Sequence, residues 1–186
     1  MRGCFFGLFL VAAIVVFLGA IAFALLAPAP GLPPQFTPVA ASTAAAGRFD
    51  MKIATVQGAT APTTIVIDEE EATSRLVALL ATEPNAPKID RPQIAFRNGK
   101  VYLSGTSNDT PIPIGFVITG RVEAVEGKPK IVIENVEAGR FPVSGALRSQ
   151  VDSLVAQQDR LIGEQPFYVT AVQVLDGKLV VTGRPR

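Results

Sequence analysis

Three two-residue turn signals constrain the fold of this chain more than any other feature of its sequence. Asn98-Gly99, Glu126-Gly127 and Asp176-Gly177 each separate two runs of alternating apolar residues. Asn-Gly and Asp-Gly favour two-residue hairpin turns because both central positions require a positive φ. Such a turn also determines the register of the strands that it joins. We therefore predict three antiparallel hairpins.

The predicted registers place apolar residues opposite one another on one face of each hairpin. The expected pairs are Phe96 with Val101, Ile94 with Leu103, Val174 with Leu179, Val172 with Val181, Val122 with Ile131 and Gly120 with Ile133, while Glu123 meets Lys130 on the opposite face. The longest strand is predicted from Ile112 to Ala124, where a period of two indicates a half-buried antiparallel strand. A short strand is predicted from Thr63 to Ile67.

Helices are predicted between these strands. Asp68 and Glu71 have the spacing of a capping box, which begins a helix that runs to about Ala81. Its apolar stripe is predicted to be Leu76, Val77, Leu79 and Leu80. Helix capping and the helix dipole account for the acidic run of residues 68–71.

A second, longer helix is predicted from Pro142 to Ile162, since proline is favourable at the first helical position. A third, shorter helix is predicted from Arg48 to Gln57. The order of elements indicates an α+β fold, in which a twisted antiparallel sheet of hairpins packs against one long and one shorter helix.

The N-terminus carries an apolar run of about 22 residues, Phe5 to Leu26. As a helix it would be roughly 33 Å long, which matches the hydrocarbon core of a bilayer. Arg2 and the α-amino group place the N-terminus in the cytoplasm and the rest of the chain outside. We therefore expect residues 1–26 to be a signal-anchor transmembrane helix and the protein to reside in the cell membrane with a single span.

Two features leave alternatives open at this end of the chain. Ala22-Phe23-Ala24 and Ala27-Pro28-Ala29 resemble signal-peptide cleavage sites, although the run is longer than a typical signal core. Cys4 precedes the run and is a candidate for reversible acylation or an unmodified thiol. Residues 27–47, rich in proline and alanine, are predicted to be a linker, and residues 48–186 an extracytoplasmic domain.

Composition excludes several functions. With Arg2 set apart, 16 basic residues balance 16 acidic ones, and no basic stripe suited to nucleic acid is present. The chain has no histidine and Cys4 is its single cysteine, which argues against a zinc site, a disulfide and serine–histidine catalysis. We expect neither an enzyme nor a cofactor.

Several segments in a fixed order resemble a known family. They are Phe49-Asp50-x-Lys52, Ile67 to Leu76, Val101 to Gly105, Ala138 to Pro142 and Val172 to Gly183. Together they resemble the bacterial YpmS-like and LmeA-like membrane-anchored proteins, whose domains are similar to a short tubular lipid-binding (TULIP-like) fold. The resemblance covers roughly residues 48–184. It departs at Asp68, where the family more often has threonine.

The resemblance implies a cell-envelope module that binds or transfers phospholipid or another amphiphile in an apolar groove between the long helix and the sheet. The residues expected to line that groove are Ile112, Ile114, Phe116, Ile118, Val122, Ile131, Ile133, Leu147, Val151 and Leu154. The same residues would equally form a closed two-layer core. The alternative function is a non-catalytic envelope domain that docks another protein through its sheet.

Overall fold

Two helices and eight strands make up the described part of the chain. The computed structural model describes residues 36–82, 86–108, 113–138, 141–142 and 167–185. The predicted transmembrane segment and most of the predicted long helix lie outside these residues. The helices are α1 (Thr43–Gln57) and α2 (Glu69–Thr82). The strands are β1 (Thr63–Asp68), β2 (Ile89–Arg97), β3 (Lys100–Ser107), β4 (Ile114–Val125), β5 (Lys128–Ala138), β6 (Phe141–Pro142), β7 (Phe167–Leu175) and β8 (Lys178–Pro185).

The strands form two antiparallel sheets, where the sequence predicted one. The order of the first is β1-β8-β7 and that of the second is β2-β3-β4-β5-β6. The fold class is α+β with antiparallel sheets, as predicted. The division into two sheets depends on which hairpin edges pair, and a local turn signal carries no information about that choice.

All three predicted hairpins are present with the predicted registers. Phe96 pairs with Val101, Val122 with Ile131 and Val174 with Leu179, and the other predicted pairs are also opposite one another. Asn98 and Glu126 have a positive φ, as a turn with two left-handed residues requires. In the third turn, Asp176-Gly177, only Gly177 has a positive φ. There the Asp176 carboxylate accepts a hydrogen bond of 2.9 Å from the backbone N–H of Asn98.

The hairpin of β4 and β5 extends past its neighbour in the sheet. β3 begins its pairing with β4 at Val101, opposite Gly120, so residues 121–132 have no β3 partner. We call residues 121–132 the arm. Strand β7 packs against β4, and the backbone N–H of Val169 donates a hydrogen bond of 2.8 Å to the carbonyl of Gly127 at the tip. The arm therefore connects the two sheets.

The two helix starts follow the rules of capping. The Asp68 carboxylate accepts a hydrogen bond of 2.8 Å from the backbone N–H of Glu71, and Glu71 accepts one of 3.2 Å from the N–H of Asp68. The predicted capping box of α2 is thus confirmed. Helix α1 begins after the N-cap Ser42, five residues before the predicted Arg48, so residues 43–47 of the predicted linker are helical.

Two predictions about helices are corrected. Pro142 lies in β6, which pairs with β5, and does not begin a helix; residues 143–162 lie outside the described part. The predicted stripe of α2 is less buried than expected, since Leu79 is 44% exposed while Leu76, Val77 and Leu80 are half-buried. The buried residues of α2 are instead in its first two turns: Glu69, Glu71, Ala72, Thr73 and Ser74. The four polar side chains in this set are buried because they form hydrogen bonds with neighbouring elements.

One of those neighbours is the free edge of β2. The Glu69 carboxylate accepts a hydrogen bond of 2.7 Å from the backbone N–H of Phe96, and Thr73 Oγ1 accepts one of 2.9 Å from that of Ile94. Gly177 N–H donates to the carbonyl of Phe96 at 2.8 Å. An unpaired strand edge must bond its backbone elsewhere or recruit another chain. Here α2 and the β7–β8 turn satisfy these backbone groups.

The hydrophobic core lies where α1, α2, the three-stranded sheet and the turn end of the β2–β3 hairpin meet. Its buried members are Val56, Ile65, Ile67, Ala72, Phe96, Phe167 and Val169. Phe49 and Ile53 of α1 pack against them.

Candidate functional site

Helix α1 covers the three-stranded sheet with an apolar face. Phe49, Ile53 and Val56 recur at the spacing of one helix face and contact the core. Below them lie Ile65 and Ile67 of β1, which pair with Val181 and Leu179 of β8. The helix and the sheet thus enclose an apolar layer.

A buried carboxylate holds α1 in place. Glu71 is 1% exposed, and its oxygens accept hydrogen bonds of 2.6 and 2.7 Å from Lys52 Nζ. Lys52 also donates to the carbonyl of Val66 at 2.7 Å. Arg48 Nε lies 3.5 Å from the same carboxylate. Helix α1 is therefore tied to α2 and to the edge of β1 by charged groups beside the apolar layer.

The layer is not completely filled. A cavity of about 310 Å³ lies between α1, the three-stranded sheet and the tip of the arm. We call it the α1 cavity. Its lining is Phe49, Ile53, Val56 and Gln57 from α1, Ile65 and Ile67 from β1, Val122, Gly127, Lys128 and Pro129 from the arm, Phe167 and Val169 from β7, and Leu179 and Val181 from β8. Most of this lining is hydrocarbon.

Close packing fixes the tip of the arm at one end of this cavity. A Cβ at Gly127 would overlap the ring of Tyr168, and the φ of Gly127 is +77°. The Arg184 guanidinium lies over the same ring, 5.4 Å from its centroid. Only glycine combines this backbone conformation with this contact. The tip is therefore held against β7 and β8.

A second cavity, of about 600 Å³, lies on the other side of α2. Its lining is Pro38, Val39, Ala41, Val77, Arg91, Gln93, Ser104, Gly105, Thr106 and Phe116. Gln93 holds the chain there through two hydrogen bonds with Val39, of 2.9 and 3.0 Å. This cavity is larger, but it is more open to solvent than the α1 cavity and a greater share of its lining is polar.

The described members of the predicted lining are not gathered in either of these two cavities. Val122 lines the α1 cavity, whereas Phe116 lines the second cavity. Ile114, Ile118 and Ile133 are half-buried on the same apolar face and line neither of these two cavities. Ile131 lies opposite Val122 but is exposed. Ile112, Leu147, Val151 and Leu154 lie outside the described residues.

The sequence prediction overlooked the contribution of α1. Phe49, Ile53 and Val56 follow the helical spacing of four and three residues, which was the available signal. The acidic run was interpreted as capping alone, whereas the buried carboxylates of Glu69 and Glu71 also form ion pairs with Arg97 and Lys52.

The chemistry of the polar groups of the described residues concerns metal binding and shifted pKa values. Within residues 36–82, 86–108, 113–138 and 167–185, no three acidic side chains cluster in a way that could hold a metal ion. A hydrogen bond from Lys100, at 2.7 Å, lowers the pKa of Glu134, and the same contact raises the pKa of Lys100. This pair lies on the polar face of the five-stranded sheet, away from the α1 cavity.

Two comparisons of the sequence identify no relative of this chain. No protein-family model matches the chain, and no curated protein sequence is significantly similar to it. Among the described residues, no helix has both the length and the apolar character needed to cross a bilayer. Residues 5–26, where such a helix is predicted, are not among them.

Proposed function

We propose that this protein is a membrane-anchored, extracytoplasmic module that binds the apolar chain of an amphiphile in the α1 cavity. The observation that carries the proposal is a hydrocarbon-lined cavity of about 310 Å³ between a helix and a sheet. Ligand cavities span roughly 300–1,000 Å³ and are lined mostly by apolar groups. The proposed role is binding or transfer, without catalysis.

The energetics favour an acyl or alkyl chain as the ligand. Each methylene removed from water contributes about 0.8 kcal/mol. The walls come from α1, from the three-stranded sheet and from the arm, so the ligand would be enclosed from several sides. The groove inferred from the family resemblance used the long C-terminal helix; the present proposal uses α1 and retains only Val122 from the predicted lining.

Photochemical labelling tests the proposed site. The full-length chain is placed in lipid nanodiscs with dodecanol that carries a diazirine near the end of its chain. After irradiation and digestion, we expect adducts within Phe49–Gln57 and at Leu179 or Val181. Adducts confined to the predicted transmembrane residues 5–26 would contradict the proposal.

A matched pair of variants separates occupancy of the cavity from general surface labelling. Val122→Trp fills the cavity, because Val122 lines it. Val125→Trp adds the same bulk three residues later, at an exposed position of the same strand. We expect the first variant to lose most of the α1 adducts and the second to retain them.

The proposed anchor and orientation have a separate test. Met51 is exposed on α1, and Cys4 is the only native cysteine. In a Cys4→Ser background, Met51→Cys should react with a membrane-impermeant maleimide added outside intact cells, and the protein should stay in the membrane fraction after alkaline washing. Labelling only after lysis would contradict the orientation, and release by the wash would contradict the anchor.

A further inference from the structure

The three-stranded sheet has a second face, which is turned away from α1. Leu179 and Val181 of β8 belong to the face beneath α1, and successive side chains of a strand point to opposite faces of the sheet. Val180 therefore points away from α1, as do Val66 of β1, which lies opposite it, and Leu175 of β7. Val66 is 41% exposed and Leu175 is 49% exposed. This face thus presents apolar side chains to solvent.

A lysine lies beside these apolar side chains. Lys178 is on the same face of β8 and is exposed, and within the described residues it forms no ion pair. The carboxylate of Asp68, opposite it on β1, accepts a hydrogen bond from the N–H of Glu71. The carboxylate of Asp176 accepts one from the N–H of Asn98. The ammonium is therefore open to an outside anion. We call this surface the outer patch: Val66, Leu175, Lys178 and Val180.

The N-terminal part of the chain joins the domain beside the outer patch. Phe36, the first of the described residues, lies against the Arg97 guanidinium at the β2–β3 turn. The preceding carbonyl, that of Phe96, accepts a hydrogen bond from the N–H of Gly177 in the β7–β8 turn. The outer patch borders the β7–β8 turn on both strands. The connection from the domain to the predicted anchor therefore starts at the same end of the sheet as the patch.

The opposite end of the three-stranded sheet is farther from this connection. Val169, which is hydrogen-bonded to the tip of the arm, precedes Leu175 by six residues, or about 20 Å along a strand. The tip of the arm carries Val125, which is 38% exposed. Since only residues 27–35 lie between Phe36 and the predicted span, we expect the end with the outer patch to be the one held nearer to the bilayer.

We propose that the outer patch rests on the leaflet that holds the anchor, with Val66 and Leu175 among the lipid head groups and Lys178 at a lipid phosphate. This rests on the membrane anchor of the proposed function and adds an orientation of the domain. Exposed apolar side chains beside polar ones are typical of interaction surfaces. A lysine near an anionic leaflet is attracted by the surface potential of that leaflet.

Fluorescence quenching tests this orientation. In the Cys4→Ser background, a bimane is attached through Leu175→Cys or Val125→Cys. The full-length chain is placed, one copy per disc, in nanodiscs of phosphatidylglycerol and a phosphatidylcholine that carries a nitroxide on its head group. Both positions are exposed, so the substitutions should leave the fold intact. We expect at least about threefold more quenching at Leu175→Cys, because the tip of the arm is about 20 Å farther away.

Variants test the part assigned to Lys178. Lys178→Gln should roughly halve the quenching at Leu175→Cys in discs with phosphatidylglycerol and leave it unchanged in discs of phosphatidylcholine alone, which lack the negative surface potential. Lys178→Arg should retain the quenching in both. Lys130→Gln is the matched control, since it removes an exposed lysine of β5 outside the outer patch; it should have no effect.

The outcomes separate this inference from the proposed function. A chain that does not enter the nanodiscs would overturn the proposed anchor and this orientation with it. Equal quenching at Leu175→Cys and Val125→Cys in discs that hold the chain would overturn the orientation and leave the anchor and the α1 cavity proposal standing. Weak quenching at Leu175→Cys, with excimer emission from pyrene at that position in discs with two copies, would assign the patch to a second copy and overturn the orientation as well. Equal effects of Lys178→Gln and Lys130→Gln would overturn the part assigned to Lys178.

Discussion

The three-stranded sheet and the arm have the same strand pattern but different surroundings. Both are antiparallel, and both have apolar pairs on one face, such as Ile67 with Leu179 and Val122 with Ile131. On the three-stranded sheet that face lies beneath α1, and Ile67 is 4% exposed; on the arm, Ile131 is 40% exposed. A period of two therefore predicts which face of a strand is apolar, whereas burial requires a second element that fits over that face.

The largest expected contrast is between two isoleucines. Ile67→Ala should lower the free energy of unfolding by about 3 kcal/mol, because it enlarges an existing cavity in the core. Ile131→Ala should lower it by less than about 1 kcal/mol, since much of that side chain is already in water. Urea-dependent pulse proteolysis of the full-length chain measures both. Equal losses would mean that the arm is as well covered as the three-stranded sheet.

The next effect concerns what holds α1 over the sheet. Glu71→Ala should cost about 2–3 kcal/mol, because it leaves Lys52 without its carboxylate; the partial exposure of Lys52 keeps the loss below that of a fully buried pair. Glu70→Ala is the control, since its ion pair with Arg48 is solvent-exposed and worth less than about 1 kcal/mol. If the unfolding curves of Glu71→Ala and Glu70→Ala coincide, the role assigned to Glu71 is refuted.

The junction between the two regions gives a smaller effect. Gly127→Ala should cost about 2 kcal/mol, from a left-handed backbone and from overlap with Tyr168. Gly177→Ala has the same φ of +77° but open space around its Cβ, and about 1 kcal/mol is expected from the backbone alone. The difference between the urea unfolding midpoints of Gly127→Ala and Gly177→Ala measures the effect of the contact between the arm and β7. No difference would indicate that the contact contributes nothing.

The smallest effect is expected on the polar face, and it depends on pH. Lys100 lowers the pKa of Glu134 below its ordinary value of 4.5, so the pair stabilises the fold above about pH 4.5 and that contribution is lost as pH falls through the lowered pKa. The difference in stability between wild type and Glu134→Gln should be constant between pH 6 and 8 and shrink below pH 4.5. A difference that does not vary with pH would rule out this contribution.

The sequence predicts the hairpins well because a two-residue turn leaves no freedom of register. Val122 and Ile131 were placed correctly for that reason. The cavity was not predicted, since it brings distant segments together: Phe49 and Val181 line it from different elements, and the Tyr168 ring lies close to Gly127. The burial of Glu71 likewise depends on Lys52, 19 residues earlier. Local patterns carry no information about such pairs.

The contact between the start of the described chain and the domain limits how far the domain can move. Phe36 lies 5.8 Å from the Arg97 guanidinium, and Val39 is bonded to Gln93. With the apolar run in the bilayer as proposed, only residues 27–35 connect Leu26 to Phe36, which at full extension is about 35 Å. A domain with so short a tether could reach the leaflet that holds its anchor but not a distant membrane. Transport of a bound molecule across a wide compartment would therefore require a second carrier.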